Sequence, residues 1–198
     1  MVSPYVTPYL IPTNENASTE LERDELKSKI ATDGGIKPID EIIELALEMY
    51  EVRNQLASHR IQEIVPQYSH TEVSVKGLPA MLALAFNNLV RNFMKEVKKL
   101  INKGEAKDNY QMTIFATRAN REITIRFEDD GPGFPPGLDL EQLFEIGFST
   151  HPGSQGLGLR VVRNIVAAHG GWIHAERNQP NGAVFVVSLP VAEGGTAV

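Results

Sequence analysis

Cysteine is missing from this 198-residue chain. Its absence excludes disulfides, zinc–thiolate sites, iron–sulfur clusters and a thiol nucleophile. It also fits a reducing compartment, and the expected location is the cytoplasm. No apolar run approaches the ~18 residues that a membrane-crossing helix needs, so no membrane contact is expected. The N-terminus lacks a basic region leading into an apolar stretch and is interrupted by Pro4, Pro8 and Pro12, unlike a signal peptide. An excess of positive charge is missing too. Lys and Arg number 19 against 25 Asp and Glu, a net charge of −6, which argues against nucleic-acid binding because neutralising phosphates needs a basic face. What is present is ordinary globular composition, 42% apolar and 22% charged, in a length that suits one domain with a short extension.

The composition changes near residue 37. Residues 1–36 read as a flexible arm: spaced prolines disfavour a helix, and only 19–31 has a helical pattern, opened by Thr19 and Glu22 as a capping box. This stretch is expected to be a remnant of a preceding helix. The main domain is expected over 37–191, with 192–198 a disordered tail. Pro38 should open a helix whose apolar residues run Ile39, Ile42, Ile43, Ala46, Met49 and Tyr50. Strands are expected from His59 to Val65, ended by Pro66, and from Thr71 to Lys76. A long helix follows from Pro79 to about Ile101. Strands Tyr110–Arg118 and Glu122–Asp129 join through a hairpin turn. Residues 131–156, rich in Gly and Pro, form a long functional loop. A helix from Leu157 to Ala168 and strands Trp172–Ala175 and Ala183–Leu189 complete the set. The expected architecture is α+β, a two-layer α/β sandwich with a mixed, mostly antiparallel sheet covered on one face by helices.

Three constellations carry chemistry. Asn88, Asn92 and Lys95 lie at spacings of four and three, on one stripe of the long helix. Their neighbours Leu82, Phe86, Leu89, Phe93, Val97 and Leu100 form a separate apolar stripe. Amide oxygens suit magnesium, which takes few protein ligands, and a lysine one turn on can meet phosphate. A polar stripe facing solvent has the same spacing. Asp129-Asp130-Gly131-Pro132-Gly133 closes a strand. Its aspartate can accept from an exocyclic amine and its glycines allow close backbone approach; a tight acidic turn reads the same. Gly153-Ser154-Gln155-Gly156-Leu157-Gly158-Leu159 runs into a helix N-terminus, where free amides and the helix dipole favour an anion. It lacks the Lys-Ser/Thr ending of a P-loop.

In this order the motifs resemble the catalytic, ATP-binding domain of sensor histidine kinases, in the superfamily shared with gyrase, MutL and the large heat-shock chaperones. The N box resembles Asn88–Asn92 with Lys95. The first glycine box resembles Asp129–Phe134, the F box Leu143–Thr150 and the second glycine box Gly156-Leu157-Gly158-Leu159. The resemblance implies the Bergerat-type ATP-binding fold, with Mg2+ and ATP as cofactors. It implies catalytic roles for Asn88, Asn92 and Lys95, with Asn92 and Asn88 on the metal. It implies nucleotide contacts from Asp129, Gly131, Gly133, Phe134, Phe148, Ser149, Thr150, Gly156, Leu157, Gly158 and Leu159, under a lid at 134–155 packed by Phe144 and Phe148.

Hydrolytic relatives carry a Glu four residues before the magnesium asparagine. Here Asn88 stands there and cannot act as a general base, which favours phosphoryl transfer to a better nucleophile. None of His59, His70, His151, His169 and His174 sits in an acceptor context. The expected function is therefore transfer of the γ-phosphate to a histidine on a phosphoacceptor and dimerisation domain, or on a partner kinase, in two-component signalling with a response regulator. The chain itself is expected to be monomeric. Phe93, Glu96, His151 and the Ala183-Val184-Phe185 strand depart from the family pattern. They leave two alternatives: a docking module without catalysis, and a serine kinase of the anti-sigma type.

Overall fold

The 25 residues of Pro79–Lys103 alternate apolar and polar positions at helical spacing and form the longest element of the computed structural model, about 37 Å at 1.5 Å per residue. Pro79 sits in the first turn, where its missing N–H costs nothing, and Gly104 ends the helix in the left-handed conformation. The structure describes residues 35–49, 52–68, 73–145 and 156–192. The expected arm helix at 19–31, His70, Phe148, Ser149, Thr150 and His151 lie outside the described residues.

In chain order the elements are β1 (Gly35–Pro38), α1 (Ile39–Glu48), the short α2 (Val52–Gln55), β2 (Ile61–Tyr68), β3 (Ser74–Gly77), α3 (Pro79–Lys103), β4 (Tyr110–Ala119), β5 (Glu122–Asp129), α4 (Gly158–Ala168), β6 (Trp172–Arg177) and β7 (Ala183–Pro190). The main sheet runs β2-β4-β5-β7-β6. Only β2–β4 is parallel; β4–β5, β5–β7 and β6–β7 are antiparallel. A parallel pair needs a long crossover, and α3 lies within it. Helices α1, α3 and α4 pack on one face, so the two-layer sandwich read from the sequence is the fold.

Alternation decides what each strand turns inward. On β5 the burial pattern alternates, with Ile123, Ile125, Phe127 and Asp129 buried. Asp129 thus closes an inward stripe otherwise made of core side chains. Phe127 meets Phe86 of α3 with ring centroids 5.4 Å apart. Strand β7 is buried along nearly its whole length because both faces are covered. Its inner face meets the helices. Over its outer face Arg126 of β5 reaches Glu128 at 2.7 Å and Glu176 of β6 at 3.1 Å, bridging the two strands that flank Val184 and Val186.

Several boundaries differ from the sequence reading, each because a tertiary partner overrides local signals. Strand β2 does not end at Pro66 but runs on to Tyr68. It is an edge strand, where a residue without an N–H is tolerated. His59 does not begin that strand. It ends a 3-10 turn, Ala57–His59, with Nδ1 2.9 Å from the Gln55 carbonyl. Pro38 belongs to β1 and precedes the helix instead of opening it. Strand β1, not foreseen, pairs with β3 in a small second sheet. The long loop contains a 3-10 turn at Leu140–Phe144, capped by Asp139.

His169 ties the two long helices together. Its Nε2 accepts the Leu78 N–H at 3.1 Å, just before α3. The proton therefore sits on Nδ1, which donates to the Ile165 carbonyl of α4 at 2.7 Å. A side chain on Gly77 would collide with this ring, and one on Gly171 would collide with the Ser188 carbonyl. The Ala168–Gly171 run is thus a structural joint. Burial holds the His169 pKa below its ordinary 6.5. Stability from the neutral ring is present above the unfolded value and is lost as pH falls through it. His169→Ala is expected to cost about 2 kcal/mol at pH 8, and the cost should shrink by pH 5. Urea titration of both proteins at the two pH values checks this.

Candidate functional site

Beside α3 lies a cavity of about 450 Å³. One wall is a single stripe of that helix: Asn88, Asn92, Lys95, Glu96, Lys99 and Lys103 all face it. The stripe anticipated from spacing therefore exists and extends two turns further than expected, through lysines at four-residue intervals. The opposite side of α3 is core, with Leu82, Phe86, Leu89 and Val97 buried. Asn87, missed by sequence reasoning, is 1% exposed. Its amide donates to the carbonyls of Ala46 at 2.9 Å and Met49 at 3.2 Å, closing the end of α1.

Asp129 sits at the cavity's inner wall. Its Oδ1 accepts the N–H groups of Gly131 at 2.9 Å and Ala183 at 3.1 Å. Both bonds fall on one oxygen, so Oδ2 has the capacity for another donor. Burial pushes the carboxyl from its ordinary 3.8 up to about 6, with Asp130 and Glu96 adding to the rise and the two N–H groups opposing it. Asp130 turns away from the cavity. Its carboxylate takes the Gln111 N–H at 2.8 Å and Lys107 Nζ at 2.6 Å. The two adjacent aspartates thus separate into one at the site and one on the surface.

The glycines have distinct reasons. Gly131 needs no side chain because a Cβ would lie 2.9 Å from Asp129 Oδ1 and 3.5 Å from the Phe93 ring. The ring distance is an ordinary contact, so it is the Asp129 oxygen that excludes a side chain there. Gly133, at φ +68°, packs its Cα against Gly182, whose own Cβ would strike the Asp129 carbonyl. The turn after β5 is thereby wedged against the β6–β7 hairpin, and Asn178 Nδ2 holds the Asp129 carbonyl at 2.8 Å.

Phe93 and Leu100, which spacing assigned to the separate apolar stripe, also line the cavity, and the remaining walls are Pro132 to Pro136, Leu143, Ala183, Phe185, Gly156, Gly158 and Leu159. Phe134 meets Phe185 edge-on at 5.8 Å. Gly131 and Leu157 are not wall residues. Leu157 precedes the first residue of α4, and its carbonyl accepts the Val161 N–H. Phe144 is buried, with the Arg163 guanidinium 5.1 Å above its ring, and Arg163 also pairs with Glu141 at 2.7 Å. Asn88 donates Nδ2 to the Leu84 carbonyl at 3.0 Å, and its Oδ1 is directed toward the start of α4, 4.0 Å from the Cβ position of Gly158. Glu96 holds Lys99 at 3.0 Å. Among the described residues no group of three or more His, Cys, Asp or Glu is placed to hold a metal ion.

A buried carboxylate at one wall, an open helix N-terminus at another, and amides and lysines between them define a nucleotide-binding domain. The family described as histidine kinase-, DNA gyrase B- and HSP90-like ATPase matches residues 77–193. The chain belongs to this family, as an ATP-binding catalytic domain of the histidine-kinase type. It is 30% identical over 176 residues to the sensor protein CitS of Bacillus subtilis, covering 76% of this chain and 31% of that protein. It is 34% identical over 121 residues to the sensor histidine kinase CpxA of Escherichia coli K12, covering 58% of this chain and 24% of that one. The chain thus spans less than a third of either relative. Among solved structures, the mycobacterial sensor histidine kinase MprB matches with a TM-score of 0.64 and 25% identity, over 79% of this chain and 97% of that one. No helix among the described residues is long and apolar enough to cross a membrane.

The raised Asp129 pKa has a consequence for stability. A carboxyl raised on folding contributes most below its unfolded value and loses that contribution as pH rises through about 6. Asn in its place can still accept on Oδ1 and carries no charge. Asp129→Asn is expected to gain up to about 2 kcal/mol relative to the unmodified protein above pH 6. Urea midpoints at pH 5 and pH 8 test it, and a larger deficit at pH 8 than at pH 5 would contradict it.

Proposed function

We propose that this domain binds Mg2+-ATP and transfers the γ-phosphate to a histidine on a phosphoacceptor domain, within two-component signalling. The observation that carries the reading is Asp129. It is a desolvated carboxylate with one oxygen fixed by two backbone N–H groups, set in a cavity that continues to the N-terminus of α4. Its Oδ2 would accept from the adenine amino group, and Phe134, Phe185, Ala183 and Gly133 would enclose the base. Asn92, Asn88 and Lys95 would lie beside the phosphates, with the amides around Gly156, Leu157, Gly158 and Leu159 as the anion cradle. Gly131 supports Asp129 from behind. Phe148, Ser149 and Thr150 keep their proposed place in the lid by motif alone.

The amide oxygens of Asn92 and Asn88 are the fitting protein ligands for magnesium. Asn88 Oδ1 is directed toward the proposed phosphate cradle, and a magnesium ion that keeps waters and phosphate oxygens needs few protein donors. The metal would supply charge neutralisation on the phosphates. Asn88 cannot deprotonate water. A terminal phosphate held here is therefore stable until an acceptor with its own nucleophile is positioned in line. The relatives named as sensor proteins, and a neighbour of the same fold solved with its response regulator, support such partners. A cytoplasmic location follows the same reading.

Calorimetric titration with a non-hydrolysable ATP analogue tests the site. Binding should strengthen at least about tenfold with magnesium, and Asn92→Ala should remove that dependence. Asp129→Asn should weaken binding at least about tenfold at pH 8, since its amide would set a donor against a donor. No binding by the folded, unmodified protein would leave a docking module. With a supplied acceptor domain, the phosphorylated product should be acid-labile; an acid-stable product would point to the serine-kinase alternative.

A further inference from the structure

The segment from Asp129 to Leu138 forms the base side of the cavity and is poor in hydrogen-bond donors. Pro132, Pro135 and Pro136 have no N–H, and Gly133 and Gly137 turn the chain through positive φ. Its carbonyls therefore need donors from elsewhere. They come from two consecutive residues at the end of β6. Asn178 Nδ2 holds the start of the segment at the Asp129 carbonyl, 2.8 Å away. Arg177 holds its end. Nη1 donates to the Phe134 carbonyl at 2.7 Å, and Nη2 donates to the carbonyls of Pro135 at 2.9 Å and Leu138 at 3.1 Å. Three carbonyls converge on one planar fork, an arrangement that suits a guanidinium and that a single ammonium cannot reproduce. Arg177 is absent from the cavity lining, whereas Phe134, Pro135 and Pro136 form part of it.

We infer that Arg177 is a positioning residue for the nucleotide base: by clamping the root of the loop it holds Phe134, Pro135 and Pro136 as a preformed wall. The inference rests on the nucleotide reading of the cavity. It separates two ends of the site that the motifs leave joined. The proposed phosphate end depends on α3 and the start of α4, and none of the hydrogen bonds of Arg177 reaches either. The base end depends on a clamp that is remote in sequence from the loop it holds. Among the described residues no carboxylate pairs with Arg177, and its guanidinium is held by the three carbonyls.

The test uses the full chain with Arg177→Gln and Arg177→Lys. Amide exchange of Leu138, whose N–H donates to the Pro135 carbonyl at 3.3 Å, is followed by NMR without nucleotide, and ADP and AMP affinities are measured by calorimetry. Arg177→Gln should exchange that amide severalfold faster while core amides such as Ile125 and Val187 stay protected. It should weaken ADP and AMP by a similar factor, about five- to tenfold, because both carry the base. Arg177→Lys should recover part of both effects. Unchanged exchange at Leu138, unchanged affinity in a folded variant, or a loss confined to ADP would overturn the inference. Exchange raised equally across the core would show a merely structural role and overturn it too. If the unmodified protein bound neither nucleotide, the nucleotide reading would fall and take this inference with it. If the unmodified protein bound both and the variants matched it, only the inference would fall.

Discussion

Everything at this site depends on how one carboxylate is held at the end of a strand. Asp129 continues the inward stripe of β5, so the sheet's alternation alone delivers a charged group into apolar surroundings. That placement is unfavourable by itself, as the raised pKa records. It is sustained by two N–H groups on one oxygen, from the turn that follows and from the first residue of β7. Those two donors require that the turn after β5 and the hairpin before β7 meet at Asp129. They meet only because Gly131, Gly133 and Gly182 carry no side chains there. The glycine-rich motif is thus explained by the packing around the carboxylate before any ligand is considered.

Much of this was legible in the sequence because it is periodic. The core and cavity stripes of α3, the strands β4, β5 and β7, and the helix after Gly156 follow from spacing. One cavity gathers Asn88, Asn92, Lys95, Asp129, Gly133, Phe134, Gly156, Gly158 and Leu159. What was not legible depends on partners far along the chain. Strand β1 exists because β3 is there to pair with it. Pro66 is tolerated because β2 lies at an edge. Asn87 looks like part of a polar stripe beside Asn88, yet it is buried against the end of α1. Arg177 has no local signal at all, since its three acceptors stand about forty residues earlier.

Three of the departures from the family pattern, at Phe93, Val184 and Glu96, resolve into packing or pairing; His151 lies outside the described residues. Phe93 occupies the space beside Gly131 and is 3% exposed. Val184 turns to the outer sheet face beneath the Arg126 bridge, so the β7 residues on the cavity are Ala183 and Phe185. Glu96 brings a negative charge to the cavity, but Lys99 lies 3.0 Å from it. The wall of α3 therefore carries one acid among three lysines, Lys95, Lys99 and Lys103, and not a bare acid next to Asp129.

On the proposed reading, the choice between hydrolysis and transfer turns on a single position of that wall. A carboxylate at residue 88 would stand where the α3 wall faces the start of α4 and could take a proton from water. An amide there cannot. Asn88 instead spends its N–H on the Leu84 carbonyl of its own helix, which fixes its oxygen toward Gly158. The residue is oriented as a neutral acceptor, suited to a cation or its water shell and unsuited to activating a nucleophile. On the proposed reading, such a site would neutralise the terminal phosphate and leave the attack to a nucleophile supplied by an acceptor domain. The geometry of docking, more than the chemistry of the cavity, would then control phosphoryl transfer.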